Sequence, residues 1–274
     1  MGSADGARRS RLAEVFTHRG VAEAYRHRPP YPSEVFTILE KLIVDERRDV
    51  LDVGAGEGAL ARPLAARMDR VDAVEVSAAM VAAGRERPGG RRDNLRWVVA
   101  ALERCRLRGP YALVTAGASL HWMAWDPVLR RVAAAMTERA SLVVVEHGPR
   151  DLPWSDQLVK VIQRHSRRPD FDPRHSLVDA LCEAGHFDLV GRTETAPVLF
   201  RQPIESYVEH FHSTASLARE LMPEDEAVAF DSAVEQVVRP WSADGMLDLP
   251  IVANLAWGRP RTAPNGLKSP AVPG

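Results

Sequence analysis

Short apolar runs alternate along the first half of this chain with segments whose apolar residues recur at helical spacing. Five runs predict buried strands, at residues 50–53, 71–76, 95–99, 111–116 and 141–145. The segments between them that predict helices are residues 59–67, 78–87 and 128–136. Strands that alternate with helices predict a parallel sheet covered on both faces, which is a doubly wound α/β fold.

The second half first continues this pattern and then departs from it. Helices are predicted at residues 154–165 and 177–183, before a sixth strand at residues 187–190. Two more helices are predicted before the last strand, and these elements occupy residues 204–212, 225–238 and 247–256. We therefore expect a mostly parallel sheet of seven strands, with a helical insertion before the final strand.

The turn after the first strand carries the most informative chemistry. Asp52 stands near the end of that strand, and Gly54, Gly56 and Gly58 follow it. Glycine is needed where a strand turns sharply into a helix and backbone N–H groups approach a ligand closely. Glu75 ends the next strand about 20 residues further on, where an acid can accept both hydroxyls of a ribose. These residues predict a site for a nucleotide-like cofactor.

The glycines alone do not select the cofactor, because Gly54-x-Gly56-x-x-Ala59 also satisfies the dinucleotide fingerprint. Asp52 favours S-adenosylmethionine, since a carboxylate would repel a pyrophosphate but would pair with the ammonium of a sulfonium amino acid. A nicotinamide-dependent oxidoreductase remains an alternative interpretation.

Composition narrows the classes of partner. The chain has 36 basic and 37 acidic residues and a net charge of −1, which does not favour nucleic acid. Its two cysteines suggest a reducing cytoplasm and neither a disulfide framework nor a metal site, so we expect no metal. No apolar run approaches the ~18 residues that cross a bilayer. We expect a cytoplasmic monomer or homodimer that acts on a small molecule, without membrane or nucleic-acid partners.

Together with the glycine turn, three further segments carry a family resemblance. They are Arg28-Pro29-Pro30-Tyr31-Pro32, Ser119-Leu120-His121-Trp122, and the closing run at residues 249–260. The chain resembles the class I S-adenosylmethionine-dependent methyltransferases over about residues 16–260, and within them the small-molecule enzymes similar to trans-aconitate methyltransferase. The resemblance implies a Rossmann-like fold, S-adenosyl-L-methionine as the cofactor, and methylation of a small organic molecule at oxygen, carbon or nitrogen.

The resemblance also suggests how the chain is divided. We expect an N-terminal tail and helical lid, a cofactor-binding core, a helical cap, the final core strand and a disordered tail, at residues 1–48, 49–200, 201–245, 246–260 and 261–274 respectively. Insertions on a doubly wound sheet usually cover the carboxyl ends of its strands, where ligands bind. Residues 10–45 and 204–245 are therefore the candidates for the walls of a substrate pocket.

The candidate cofactor site combines the glycine turn with the ends of the next strands. It comprises Asp52, Gly54, Ala55, Gly56, Glu75, Val76, Ala101, Leu102 and Ala116. Ala101 departs from the family, whose members usually place there an aspartate that accepts the adenine amino group. Its loss costs about 1–2 kcal/mol, or roughly 5- to 30-fold in affinity. This departure keeps open the alternative of a protein that binds the cofactor without transferring methyl, such as a cyclisation catalyst or a non-catalytic partner.

The candidates for substrate binding and catalysis lie at the lid, the cap and the strand ends. His121 is the candidate base, just beyond the fourth strand, although it can equally pack the pocket floor. The lid and substrate candidates are Tyr25, Arg28, Tyr31, His147 and His210. If the acceptor is an acid, Arg26, Arg28 and Arg201 can bind its carboxylate bidentately. Positioning of the reactants can suffice for methyl transfer, so no fixed catalytic residue is obligatory.

Overall fold

The computed structural model of the protein describes residues 15–167 and 176–261. Of the predicted terminal tail, all but Arg261 lies outside the described residues, as do the first residues of the predicted N-terminal segment.

One mixed sheet organises the described chain, with strand order β3-β2-β1-β4-β5-β8-β6 and with β7 paired to β8. The strands are β1 Asp49–Val53, β2 Arg70–Glu75, β3 Leu95–Val99, β4 Tyr111–Gly117, β5 Met136–Pro149, β6 Phe187–Glu194, β7 Val198–Pro203 and β8 Met246–Pro260. β1 to β5 pair in parallel, and β8 runs antiparallel to its three neighbours. Successive strands are added to one side of β1 up to β3 and to its other side from β4 onwards. Ligands bind at such switch points in open α/β sheets.

Helices cover both faces of the sheet. They are α1 Arg19–Ala24, α2 Ser33–Lys41, α3 Ala61–Ala65, α4 Ala78–Glu86, α5 Trp125–Ala135, α6 Ser155–His165, α7 Leu177–Glu183, α8 Ile204–Phe211 and α9 Glu224–Val238. Some begin at recognisable caps: the Ser77 hydroxyl accepts from the Met80 N–H at 3.2 Å at the start of α4. α9 begins with three acids, which suit the positive end of the helix dipole.

Two hydrophobic cores lie on opposite faces of the sheet, as expected for a doubly wound fold. α2 and α3 bury Leu39 and Leu64 against one face, and α5 and α7 bury Leu129 and Leu181 against the other. A third core, around Phe230, joins α6, α8 and α9 to the first half of β8. The predicted helical insertion before the last strand is confirmed as α8 and α9.

The sheet has eight strands in the described residues, whereas seven were predicted. The additional strand, β7, is short and bracketed by Pro197 and Pro203, so its pattern is hard to distinguish from a loop. β6 and β7 lie one after the other along the same edge of β8, which at 15 residues is long enough to pair with both. Thr195 bridges the kink between them, because its N–H donates to the Ala253 carbonyl at 3.0 Å and its hydroxyl accepts from the Ala253 N–H at 3.0 Å.

Candidate functional site

A cavity of about 430 Å³ opens at the carboxyl ends of β1 to β4. Its walls come from the glycine turn, the end of β2, the loop after β3, the end of β4 and the N-terminal segment. The lining residues are Phe16, Tyr25, Gly54, Gly56, Val74, Glu75, Val76, Met80, Ala100, Ala101, Leu102, Glu103, Arg104, Gly117, Ala118, Ser119, Trp122 and Met123.

The glycine turn beside the cavity holds backbone conformations that residues with a side chain rarely adopt. Gly54 has φ +64°, and a Cβ there would lie 2.5 Å from the Cβ of Ser119. Gly56 has φ +56°, and its N–H donates to Glu75 Oε2 at 2.8 Å. Both conformations favour glycine, and both residues present backbone to the cavity. The sequence prediction for this turn rests on the same physical requirement.

Glu75 is a buried carboxylate fixed by backbone donors. Its second oxygen accepts from the Ser77 N–H at 2.8 Å. Burial raises the pKa of Glu75, and the N–H groups of Ser77 and Gly56 act in the opposite direction. Its described partners are backbone amides, with no arginine or lysine among them. The side chain is thus held at the cavity wall with its charge uncompensated by a cation.

Asp52 lies beneath the glycine turn and not on the cavity wall. The Thr115 hydroxyl donates to Asp52 Oδ1 at 2.8 Å. Burial raises the pKa of Asp52 to about 7, although the Thr115 hydrogen bond lowers it. Ala55 and Ala116 also lie outside the described lining, whereas the other six predicted cofactor residues belong to it.

Among the remaining wall residues Tyr25 was predicted as a lid residue, and the others were not among the predicted site residues. Met80 and Met123 come from α4 and from the turn before α5, and Glu103 and Arg104 follow the predicted Ala101 and Leu102. Ala118 has φ +47°, an uncommon conformation for a residue with a Cβ. It follows Gly117, where a Cβ would lie 2.6 Å from the Tyr31 hydroxyl. The end of β4 is therefore shaped by the close approach of Tyr31.

Aromatic rings from the N-terminal segment and from the turn after β4 form the roof of the cavity. Phe16 packs edge-on against Tyr25 and Trp122, with ring centroids 6.4 and 5.5 Å apart. The Ser77 hydroxyl donates to the Phe16 carbonyl at 2.6 Å. This bond fastens the roof to the chain immediately after Glu75. Sequence reasoning missed Phe16, and no local signal marks it.

The five predicted lid and substrate residues come together beside this roof. The Arg28 guanidinium lies 4.1 Å from the centroid of the Tyr25 ring. Its positive charge acts to lower the pKa of Tyr31, His147 and His210. Tyr31 and His147 are stacked with ring centroids 3.8 Å apart. These residues form a polar cluster next to the aromatic roof.

Both histidines of this polar cluster are neutral at pH 7. Burial lowers the pKa of His147 to about 4, and its Nε2–H donates to the Pro29 carbonyl at 2.8 Å. Burial, with a contribution from Arg28, lowers the pKa of His210 to about 3. Burial also raises the pKa of Tyr31, which keeps its proton. Arg28 therefore supplies the positive charge among the five.

His121 lies beside the cavity and not in its described lining. Its ring centroid is 4.5 Å from that of Trp122, which does line the cavity. The predicted arginines separate in the structure, because Arg201 faces Asp248 at 3.6 Å on the exposed surface. Arg26 is exposed and contacts His27 through a 3.0 Å hydrogen bond.

Two kinds of feature are absent from the described residues. Residues 15–167 and 176–261 contain no group of three or more His, Cys, Asp or Glu side chains arranged to hold a metal ion. In the same ranges no helix combines the length and the apolar character needed to cross a bilayer.

A family model described as a methyltransferase domain matches residues 50–140, from β1 to the start of β5. That segment is similar to a methyltransferase domain. It contains the glycine turn, Glu75 and most of the cavity wall. Among curated proteins, a candidate methyltransferase from Dictyostelium discoideum is 25% identical over 148 residues, which are 53% of this chain and 54% of that protein. The match thus spans about half the length of that relative.

Solved structures extend the likeness beyond the methyltransferase domain. A candidate type II methyltransferase from Anaeromyxobacter dehalogenans aligns with a TM-score of 0.61 at 20% identity, over 85% of this chain and 97% of that chain. S-adenosylmethionine-dependent methyltransferases from Geobacter sulfurreducens and Thiobacillus denitrificans align with TM-scores of 0.52 and 0.51 at 16% and 14% identity. They cover 90% and 87% of this chain and 98% and 96% of their own, and both were solved with S-adenosyl-L-homocysteine.

These neighbours confirm the predicted fold class, the Rossmann-like fold of the class I methyltransferases. The predicted cofactor, S-adenosylmethionine, is the one on which the two neighbours solved with its product depend. The resemblance to trans-aconitate methyltransferase stays a prediction, as do the roles of the individual site residues.

Proposed function

We propose that this protein transfers a methyl group from S-adenosylmethionine to a small organic molecule. The observation that carries the proposal is Glu75, a buried carboxylate without a cationic partner among the described residues. Two backbone N–H groups hold it at the wall of a cavity that the glycine turn keeps open. The cavity volume of about 430 Å³ lies in the range of sites for small molecules and cofactors, which suits S-adenosylmethionine. The methyltransferase domain and its solved neighbours support the choice of cofactor.

Each part of the cofactor has a matching part of the wall. Glu75 would accept the ribose hydroxyls, and the chain at Ala101 and Leu102 would lie against the adenine. Gly54 would let the backbone approach the methionine part, with the carboxyl of Asp52 beneath it as the attraction for the ammonium. The residues present therefore fit the group.

The proposed role of the protein residues is to position the reactants and to exclude water, more than to take part in covalent chemistry. When bound, S-adenosylmethionine supplies a methyl group on a positively charged sulfur, and that sulfur keeps the electron pair of the broken bond. Phe16, Tyr25 and Trp122 would exclude water from the place where the acceptor approaches in line. If the acceptor is a hydroxyl or a carbon acid, His121 is the proposed base, since its ring lies 4.5 Å from that of Trp122, which lines the cavity.

A small acceptor is favoured over a nucleic acid because the whole chain has a net charge of −1. The polar cluster around Arg28 contacts Tyr25 of the aromatic roof, and we propose that the acceptor binds on this side of the cavity. Cytoplasmic location and the monomeric or homodimeric state remain part of the proposal.

Calorimetric titration with S-adenosylhomocysteine, beside NADH, tests the proposed cofactor. We expect S-adenosylhomocysteine alone to bind, and binding of NADH alone would instead support an oxidoreductase. Gly54→Ala should abolish the binding, because its Cβ meets Ser119 and its φ is positive. Gly148→Ala is the matched control, since nothing lies within 4 Å of a Cβ there.

Methyl transfer itself needs a separate readout. Protein that binds the cofactor should move a labelled methyl group to a member of a broad acceptor panel, and His121→Gln should slow a transfer that requires deprotonation. Tight cofactor binding without a methylated product from any acceptor class would favour the alternative of a cofactor-binding protein that does not transfer methyl.

A further inference from the structure

His212 is a buried histidine whose two ring nitrogens both face hydrogen-bond acceptors. It directly follows α8, and its side chain is 2% exposed. Nδ1 lies 2.7 Å from the Leu217 carbonyl oxygen, and Nε2 lies 2.6 Å from Asp231 Oδ1 on α9. A carbonyl oxygen can only accept, so Nδ1 must carry a proton to make the first bond.

Asp231 can also only accept, because it is a carboxylate. Its second oxygen lies 2.9 Å from Arg219 Nη2, which also pairs with Glu209 at 2.8 Å. Burial alone would raise the pKa of Asp231, but the bonds from His212 and Arg219 outweigh it and lower the pKa. Nε2 must therefore carry a proton as well. With a proton on each nitrogen, the ring of His212 is an imidazolium cation.

Besides Arg219 and Glu209, four titratable or charged groups belong to the elements around this ring. They are His210 on α8, Arg28 of the N-terminal segment, His165 on α6 and Glu226 on α9. His210 is neutral at pH 7, and His165 faces Glu226 at 3.9 Å. Among the described residues, Asp231 is thus the acid that bonds to the ring and balances its charge.

The cap turn, residues 212–221, is where the N-terminal segment, residues 15–28, rests on the cap. The Ser213 hydroxyl accepts from Arg28 Nε at 2.7 Å. Ala218, which follows Leu217, is fully buried in an apolar cluster with four residues of the N-terminal segment. These four are Val15, Phe16, Val21 and Tyr25. Two of them also form the aromatic roof, so the turn that His212 fastens supports the roof of the cavity.

We propose that the imidazolium of His212 is a pH-dependent latch that holds the N-terminal segment closed over the cavity. A neutral imidazole has one N–H, so loss of a proton turns a lone pair towards one of the two acceptors and breaks that bond. Histidine is the side chain that changes charge near neutral pH. The latch is therefore intact at low pH and weakens as the pH rises.

His212 acts in this proposal as a positioning residue, because it lies outside the described cavity lining and reaches the roof through the cap turn. The inference goes beyond the proposed function, since closure of the roof requires no ligand.

Hydrogen exchange of the amides in residues 15–28 tests the latch in protein without ligand. Wild type is compared with Asp231→Asn from pH 6 to pH 9, with exchange times scaled for the intrinsic rate at each pH. The amide of Asn donates to Nε2, so a neutral ring keeps both bonds in this variant. Relative to Asp231→Asn, wild type should lose protection roughly 3- to 10-fold as the pH rises.

Two further variants separate the latch from general loosening of the cap. His212→Gln cannot reach both acceptors, so its exchange should be faster than that of wild type at pH 6 and should approach it at pH 9. His165→Gln is the matched control, because His165 also packs edge-on against Phe230 but has no described bond to the cap turn. It should keep the pH profile of wild type.

The proton itself can be observed by nuclear magnetic resonance of protein labelled with ¹⁵N-histidine. Signals that disappear in His212→Gln belong to His212, and at pH 6 they should show a proton on both ring nitrogens. Affinity for S-adenosylhomocysteine provides a further readout, since a ligand that needs the closed roof binds more weakly when less of the protein is closed. The affinity of wild type relative to Asp231→Asn should fall with rising pH as the protection does, and the effect of Asp52 is common to both proteins.

The possible outcomes separate this inference from the proposed function. A single neutral tautomer of His212 at pH 6, or equal pH profiles of exchange in wild type and Asp231→Asn, overturns the latch. Failure of wild type to bind S-adenosylhomocysteine, with exchange profiles that differ as expected, overturns the proposed function and supports the latch.

Discussion

β1 and β2 bury one pair of acids at their amino ends and another at their carboxyl ends. The two pairs have different kinds of partner. At the amino end, Asp49 and Asp72 are surrounded by arginines. At the carboxyl end, Asp52 and Glu75 have a hydroxyl and backbone amides as partners. The strands are the same and the burial is similar, so the difference lies in the partners.

At the amino end, arginines pair with both acids. Arg96 donates to Asp72 through Nε and Nη2, both at 2.8 Å, and the Tyr111 hydroxyl donates to the same carboxylate at 2.6 Å. Burial alone would raise the pKa of Asp72, but the bonds from Arg96 and Tyr111 outweigh it and lower the pKa. Arg70 adds a 3.0 Å ion pair with Asp49. Charge there is balanced within the protein.

The carboxyl end leaves its charge unbalanced. Burial raises the pKa of both Asp52 and Glu75, and the described residues provide neither with a cation. Holding buried acids in this state costs stability, which a cationic or hydroxyl-rich ligand can restore. The comparison teaches that partners, and not burial, separate a structural carboxylate from one held ready for a ligand.

Removing Asp72 should have a large effect, and it should be on stability alone. Asp72→Asn leaves the guanidinium of Arg96 without its partner, so we expect the free energy of unfolding to fall by about 2–4 kcal/mol. Denaturant unfolding measures this, and S-adenosylhomocysteine affinity should not change. Asp179→Asn is the control, since it breaks an exposed pair with Arg192 and should leave the unfolding midpoint unchanged. Weakened cofactor binding in Asp72→Asn would contradict the division of roles.

The sequence predicts the residues at these two ends only where the interacting residues follow a local pattern or a regular spacing along the chain. Asp52, Gly54 and Gly56 lie on one turn, and Glu75 ends the next strand, so spacing alone suggests a site. The network of Asp72 joins residues 24 and 39 positions apart, which meet only through the register of β2, β3 and β4. No local pattern contains that register.

The aromatic roof of the cavity and the edge strand β7 were also not predictable from local sequence patterns. Phe16 reaches the cavity because its carbonyl meets Ser77, 61 positions away. β7 exists because β8 is long enough to pair with two strands, and not because six residues between prolines favour extension. Local glycine chemistry was therefore predictable, whereas docking of the lid and pairing at the edge required the folded chain.

The pH dependence of the free energy of unfolding tests the same comparison at Asp52. Its unperturbed pKa of 3.8 rises to about 7 in the folded chain, so the folded state binds the proton more tightly. Wild type should therefore lose up to about 4 kcal/mol of stability relative to Asp52→Asn as the pH rises from 4 to 8. Unfolding free energies of the two proteins, measured across this range without cofactor, give the difference directly.

Asp72 is the internal control for that experiment. Its pKa is lowered, so its contribution to stability is present above the unperturbed pKa and is lost only as the pH falls through the folded value. The difference between wild type and Asp72→Asn should thus be flat from pH 5 to pH 8. A parallel slope in both variants would mean that the two ends do not differ in the way their partners indicate.

Glu75 should affect binding far more than stability. Glu75→Gln keeps an oxygen for the Gly56 or Ser77 N–H but removes the charge, so we expect S-adenosylhomocysteine to bind roughly 10- to 100-fold more weakly. The unfolding midpoint without cofactor should stay the same or rise, because the lost charge has no cation. Glu103→Gln, in the same wall, is the control and should have a smaller effect on affinity. Equal losses in both would remove the special role of Glu75.

Ala101 tests whether the carboxyl end can accept one acid more. The position lies on the cavity wall after β3, next to Leu102, where an aspartate could accept from the adenine amino group. Ala101→Asp should tighten S-adenosylhomocysteine binding roughly 5- to 30-fold, and Ala101→Asn, which offers a neutral acceptor, should gain less. The inosine analogue, which lacks the amino group, should gain nothing from either change. If both ligands tighten equally, the gain comes from the local fold and not from the adenine, and Ala101 is not the adenine position of this site.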